Sequence, residues 1–398
     1  MSYAQTSDAA SVKPSVAPVL IVTPWYKPTL GGVAEVADRL HRLLALKGVR
    51  THLFVCDHTK SQKFIESVPG CEKAWYVKMP SYIFDNPSLK SALASIVRGI
   101  SALRLLSRFV RENEIRTIIL LFPGGYAWPF LVLRRFSPVR IIASYHGNDL
   151  TRYESFSPLL RWLNRKILLS SDAITVCAEH LAEHARKIAT PHKLEIQLIT
   201  NCVDTEFFTP SADYLEHRAN PVTLIHVSNF NPKKRTKDIV RAFAMASIPA
   251  ETRLVMVGTG PDHEAVRELS RSLGVADRIE FAGTKKDVRP FLWKADIFVL
   301  ASDDEGAPLV LLEAMASCLP WISTPWGAAA ILPPGECGLV VPPGSPEKLA
   351  TAMEELVRDH ERRQVMGMCG RSRAEADFSV NAYLERHCQL IRTVEGAV

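Results

Sequence analysis

Short uncharged aliphatic runs recur along this chain, and residues of helical period lead from one run to the next. Residues 18–23 (PVLIVT) read as a strand buried on both faces. Val33, Val36, Leu40, Leu43 and Leu44 then recur at helical spacing, Gly48 supplies a stop, and residues 51–55 form the next strand. Strand, helix and strand in that order make a parallel pair, and the same grammar at 115–122 and 140–144 extends it into one open sheet flanked by helices.

The pattern breaks at 205–221, where polar residues, Pro210 and Asn220-Pro221 replace the periodicity, as in a linker. Beyond the break it starts afresh, with strands at 222–227, 253–257, 278–281 and 297–300 and helices from Thr236, over 262–273 and over 308–317. The expected architecture is α/β: two doubly wound Rossmann-like domains over 18–205 and 206–379, facing each other across a cleft. Ligands of such folds bind at the carboxyl ends of the strands and at domain interfaces.

Composition fits that reading. A chain of 398 residues with 47% hydrophobic content can bury more than one core, and 23% charged residues with 20 Gly and 26 Pro exclude a low-complexity or disordered class. Residues 1–17 are Ser/Ala/Pro-rich and read as a disordered tail; the apolar run after them is too short for a signal-peptide core. The uncharged stretch 117–133 is interrupted by Pro123, Gly124, Gly125 and Pro129 below spanning length. None of the eight cysteines stands in a C-x-x-C pair, so reduced thiols in a cytoplasmic protein are expected.

The most informative segment is Ser302-Asp303-Asp304-Glu305-Gly306-Ala307-Pro308-Leu309-Val310-Leu311-Leu312-Glu313. It leaves a buried strand, turns at Gly306 and enters a helix with Pro308 in the favoured first turn. A helix start leaves amides such as those of Leu309 and Val310 without partners and carries partial positive charge, so a diphosphate can dock there. Glu313 lies roughly 7 Å further along the axis than Pro308, so Glu305 and Glu313 address different parts of one elongated ligand. In isolation, such acids are also common as helix-dipole partners. A second cluster, Ser228-Asn229-Phe230-Asn231-Pro232-Lys233-Lys234-Arg235, puts three cations at another strand's carboxyl end, where they can neutralise a leaving diphosphate; for Lys233 a solvated position is the simpler reading.

E-G-x-P-L-x-L-x-E resembles the E-x7-E signature of retaining glycosyltransferase family 4, enzymes of the GT-B fold that use nucleotide-activated sugars. Gly31-Gly32-Val33, His146-Gly147-Asn148-Asp149, Asn201-Cys202-Val203-Asp204 and Gly258-Thr259-Gly260 agree in order and spacing, and the resemblance covers roughly residues 18 to 395. It implies that Glu305 contacts hydroxyls of the donor sugar, Glu313 the ribose, and His146 the donor sugar, with Asp149 organising its loop. Gly31 and Gly32 would approach the diphosphate, with Lys27 nearby; Gly258 and Thr284 would lie beside the nucleoside. In the basic loop the family usually carries an Arg where this chain has Asn229, which leaves Lys234 as the main cation and Arg235 or Lys233 as substitutes; the S-N-F variant resembles the N-acetylglucosaminyl malate transferases. Ala307, Cys202 and the segment Trp326-Gly327-Ala328-Ala329 depart from the family pattern.

The resemblance also implies that the C-terminal stretch 380–398 packs back on the first domain, that UDP- or GDP-linked sugar is a substrate with no cofactor or metal required, and that the acceptor is a glycan, a lipid-linked molecule or a small molecule. The formal net charge of +6 hides an asymmetry: 26 Lys and Arg against 16 Asp and Glu up to residue 205, and 22 against 26 beyond. Lys90, Arg98, Arg104, Arg108 and Arg111 interleave an apolar stripe from Leu89 to Val110, which is read first as core packing and second as a basic surface at the inner face of a membrane. No nucleic-acid-binding module appears. A GT-B sugar phosphorylase, a nucleotide-sugar epimerase or a non-catalytic partner in glycan assembly is the alternative to a transferase.

Overall fold

The computed structural model describes residues 16–26, 32–56, 65–68, 73–79, 89–211, 221–326 and 336–396; at 65, 66 and 89–98 it describes the backbone alone. The first sheet contains β1 (Val19–Thr23), β2 (Thr51–Val55), β3 (Ile65–Ser67), β4 (Ala74–Val77), β5 (Thr117–Leu121), β6 (Arg140–Tyr145), β7 (Ala173–Val176) and β8 (Ile196–Leu198) in the order β3-β4-β2-β1-β5-β6-β7-β8. Every pairing is parallel except β3 with β4. The second sheet contains β9 (Thr223–Val227), β10 (Arg253–Val257), β11 (Ile279–Gly283), β12 (Ile297–Leu300), β13 (Trp321–Ser323) and β14 (Gly338–Val340), all parallel, in the order β11-β10-β9-β12-β13-β14.

All residues of β1, β2, β5 and β12 are buried, as expected of parallel strands covered on both faces. Strand order reverses between β1 and β5 in one sheet and between β9 and β12 in the other. Loops leaving these strands diverge and open a crevice at their carboxyl ends. The loop after β9 carries the basic cluster and the loop after β12 the acidic segment, so the two most informative sequence motifs share one switch point.

Two features differ from the sequence reading. Of the expected tail over 1–17, residues 1–15 lie outside the described residues, while Val16 is buried and the Ala17 amide donates to Glu395 at 3.3 Å. The front of the expected linker is also packed. Asp204 accepts the amides of Glu206 and Phe207, Phe208 is buried, and Arg371 donates to the carbonyls of Thr205, Phe208 and Ala316. Residues 212–220 lie outside the described residues.

The helix Val380–Gly396 places Tyr383, Leu384, Leu390, Ile391 and Val394 in the same apolar cluster as β1, β2 and the helix Gly32–Leu46. At about 1.5–3 kcal/mol per buried aliphatic side chain, this seam anchors the end of the chain to the first domain. In the helix Leu89–Glu112, Ala102, Leu106 and Val110 face the core, whereas Ile100, Arg104, Arg108 and Arg111 are exposed. Among the described residues no helix is long and apolar enough to cross a membrane.

Candidate active site

The helix Leu309–Ala316 starts one residue later than the sequence suggests: Pro308 is its N-cap, with φ −69° and ψ 119°. Leu311 and Leu312 donate their amides to the Pro308 carbonyl, whereas those of Leu309 and Val310 have no backbone acceptor among the described residues. Two donors at the positive end of a helix dipole therefore remain for an anion.

Beside this helix start, Lys234 and Glu305 form an ion pair through Nζ and Oε1, with side chains only 21% and 14% exposed. Asn231 caps the short turn Pro232–Lys234 by accepting the Lys233 amide, and the Lys233 carbonyl accepts the amide of Asp303 at 2.8 Å. Backbone contact between the two loops thus brings the pair together. Arg235, a proposed substitute cation, is committed elsewhere: it donates to Asp238 at 2.6 Å and to Asp303 at 3.1 Å. Lys233 is not simply solvated, because its Nζ donates to Asn148 Oδ1 of the first domain at 2.6 Å.

His146 follows β6 at its carboxyl end and stacks on Phe122 with ring centroids 4.6 Å apart. Thr175 donates to Ser144 Oγ, and Ser144 Oγ lies 2.9 Å from His146 Nε2. Nε2 is thus engaged by the Ser144 hydroxyl, in a bond whose direction follows the ring tautomer. Nδ1 is buried and has no hydrogen-bond partner among the described residues. Burial, with the nearby His387 of the C-terminal helix, pushes His146 down to about 3, so the ring is neutral. The Asp149 carboxylate accepts the amides of His146 and Gly147 and thereby shapes the loop; burial raises it to about 6 despite these bonds.

The two domains meet at these loops. A Cβ on Gly306 would fall 2.1 Å from the His146 carbonyl oxygen and 2.7 Å from Cys177 Sγ, so only glycine fits. Asn201, from the N-C-V-D segment, donates to the Ala307 carbonyl at 2.7 Å, and Thr151 donates to Asp304 Oδ2 at 3.0 Å. Tyr145, Val176 and Cys177 share a buried apolar cluster with Ala307, Leu311 and Leu312.

Glu313 lies one turn along its helix and faces the helix Gly32–Leu46 of the first domain. Burial pushes its carboxyl up to about 7, with Arg39 pulling it down and Glu35 raising it further. Arg39 is held by the Cys202 carbonyl and by Glu35. Gly32 opens its helix; Gly31 and Lys27 lie outside the described residues, as do Gly327, Ala328 and Ala329.

The remaining candidates gather where β9, β10 and β11 end. A Cβ on Gly258, at φ +127°, would fall 1.8 Å from the Ser228 carbonyl, and the Gly258 amide donates to the Gly283 carbonyl. Thr259 and Thr284 hydroxyls are 3.0 Å apart, and Asn229 is exposed, its amide oxygen lying over Gly260. Thr151 carries no signal in the sequence, and Asn148 and Asn201 stand in the quoted motifs without an assigned role, because their partners are far away in the chain. Among the described residues no group of three His, Cys, Asp or Glu could hold a metal ion.

Residues 30–207 match the family described as Glycosyltransferase Family 4, and residues 221–359 the one described as Glycosyl transferases group 1. The chain is 30% identical over 360 residues to N-acetyl-alpha-D-glucosaminyl L-malate synthase of Bacillus anthracis, covering 88% of this chain and 91% of that one. It is 27% identical over 313 residues to the GDP-mannose-dependent alpha-(1-6)-phosphatidylinositol monomannoside mannosyltransferase of Mycobacterium tuberculosis, covering 73% and 80%. Among solved structures, sucrose-phosphate synthase of Thermosynechococcus elongatus superimposes with a TM-score of 0.77 at 20% identity, over 96% of this chain and 100% of that one. Anabaena HepE in complex with UDP and glucose superimposes with a TM-score of 0.69 at 16% identity, over 95% and 100%. The paired sheets are thus those of GT-B glycosyltransferases, and the chain belongs to glycosyltransferase family 4, the nucleotide-sugar-dependent transferases of glycan and glycolipid synthesis.

Proposed function

We propose that this transferase moves a sugar, with retention at the anomeric carbon, from a UDP- or GDP-linked donor to a glycan, lipid-linked or small-molecule acceptor, and that it uses neither a cofactor nor a metal. The observation that carries the reading is the Lys234–Glu305 pair beside the unpartnered amides of Leu309 and Val310. The two charges compensate each other. A donor would exchange that pair for better partners: its diphosphate for Lys234 and the amides, its sugar hydroxyls for Glu305. Charge developing on the leaving diphosphate is then met by groups already oriented.

Glu313 would accept the ribose hydroxyls, His146 would hydrogen-bond the sugar through Nδ1, and Gly32 would approach the diphosphate from the first domain. Gly258, Thr284 and Asn229 would flank the nucleoside. Arg235, bound to Asp303 and Asp238, would hold the acidic loop in place. The named substrates of the similar synthase and mannosyltransferase support a sugar-nucleotide donor with a small or lipid-linked acceptor. Exposed Ile100, Arg104, Arg108 and Arg111 support peripheral binding to anionic lipid at the cytoplasmic face of a membrane.

The test is nucleotide release across a panel of UDP- and GDP-sugars, with and without acceptor candidates. Acceptor-dependent release from one donor is expected; release of sugar phosphate only with inorganic phosphate, or epimerised donor without acceptor, would overturn the transferase reading. For the membrane, vesicles containing anionic lipid should sediment the protein at low salt, and charge reversal at Arg104 and Arg108 should weaken this; no binding at low salt would remove that part.

A further inference from the structure

Both members of the Lys234–Glu305 pair have a chain neighbour that reaches across the cleft. Lys233 Nζ donates to Asn148 Oδ1 at 2.6 Å, and Asp304 Oδ2 accepts the Thr151 hydroxyl at 3.0 Å. Lys233 and Asp304 are also joined to each other at 3.5 Å, so the two crossing bonds form one strip. Asn148 and Thr151 begin and end a single helical turn directly after the His146-Gly147 loop. We propose that Asn148, Thr151, Lys233 and Asp304 are a polar clasp that holds the cleft closed and sets the position of Lys234 and Glu305 over a bound nucleotide sugar.

Three observations argue for a releasable clasp rather than a permanent joint. The side chains of Lys233 and Asp304 are 43% and 25% exposed, so water can replace each bond at little cost when the domains part. The strip joins short loop elements on the two domains, where rigid-body opening concentrates its displacement. Its attachment points are adjacent in sequence to Lys234 and Glu305, and consecutive Cα atoms are about 3.8 Å apart, so opening the clasp must shift the pair as well.

The proposal rests on the transferase reading and makes these four positioning residues. A donor that binds only the closed form has its affinity reduced by the fraction of chain that is closed, whereas turnover from the closed complex is unaffected. Thr151→Val and Asp304→Ala should therefore each raise the donor KM about tenfold with kcat unchanged or higher, higher where opening limits product release. Thr151→Val should add nothing to Asp304→Ala, because Asp304→Ala already removes the bond that Thr151 makes. Asp304→Asn, which keeps an acceptor for Thr151, should restore most of the affinity. Small-angle X-ray scattering should show a larger radius of gyration for Asp304→Ala than for the wild type, with the difference reduced by nucleoside diphosphate, while the thermal midpoint stays put.

A fall in kcat at constant KM, additive effects in the double variant, or scattering identical to the wild type would overturn the clasp. If the wild type releases nucleotide from no sugar donor, the transferase reading fails, and scattering on the same variants still decides whether the strip holds the domains together.

Discussion

Gly306 of the second domain packs its Cα against the main-chain carbonyl of His146 in the first, with no room for a side chain between them. The Cys177 thiol closes the other side, and neither obstacle is the far end of a flexible side chain. Gly306→Ala must therefore push the two loops apart. Because the contact lies between domains, the expected result is a folded but misaligned enzyme: turnover reduced at least a hundredfold, roughly 3 kcal/mol, with a thermal midpoint close to the wild type. Near-normal turnover in Gly306→Ala would show that the loops need not approach this closely during the reaction.

Lys234 and Glu305 are predicted to matter for transfer far more than for stability. They are partly open to solvent and bound to each other, so truncating one leaves its partner able to recruit water. Lys234→Ala should lower turnover at least a hundredfold, the scale seen when one preoriented donor is removed from a developing anion, and Glu305→Ala should do the same through misplacement of the sugar. Steady-state nucleotide release gives the measurement. A variant that keeps more than a tenth of wild-type turnover loses the assigned role.

The strands and the acidic helix start were legible because parallel strands covered on both faces read as unbroken aliphatic runs; β2, β10 and β12 begin and end where the runs do. Contacts between distant segments were not legible. Lys233 looks like any residue of a charge run, and its partner is 85 positions away; Asp304 looks like a helix-dipole acid, and Thr151 is 153 positions away. Pro308 was expected inside the helix and caps it instead. Its ring fixes φ near −65° in either position and leaves ψ to tertiary packing, which local sequence does not encode. The same limit applies to His146: the motif identifies the residue, but only the fold shows that Ser144 engages Nε2 and leaves Nδ1 for another partner.

Acid should destabilise the fold from just below pH 7. Burial lowers His52, His226 and His387 to about 4 and His146 to about 3, so these four stay neutral in the native chain while the unfolded chain protonates them near 6.5. Stability from these groups is present above 6.5 and is lost as pH falls toward 4. Asp149 and Glu313 act in the opposite sense, because burial raises them to about 6 and about 7 and the native chain takes up their protons first. The balance is about two more protons on the unfolded chain near pH 5, or roughly 3 kcal/mol lost per pH unit. Urea midpoints at pH 7, 6 and 5 measure this, and a midpoint that stays level or rises on acidification contradicts it.

Glu313 should make nucleotide binding sensitive to pH around neutrality. Its carboxyl, raised to about 7 by burial, is half protonated at the pH where it would receive the ribose. A carboxylate accepts hydrogen bonds from both ribose hydroxyls, whereas the protonated acid must use one oxygen as a donor, so binding favours the ionised form. Below the carboxyl's pKa each binding event must release a proton, and affinity should therefore rise about tenfold between pH 6 and pH 8 and level off above. The diphosphate also titrates near the lower end of that range, so the informative quantity is the difference between the wild type and Glu313→Gln. Calorimetric titration with UDP and GDP should give a steeper pH slope for the wild type, and the steeper slope should disappear with the 2′-deoxy nucleotide, which removes one hydroxyl. Equal slopes in wild type and Glu313→Gln would take Glu313 out of the ribose site and leave its raised carboxyl as a feature of the interface with Arg39 and Glu35.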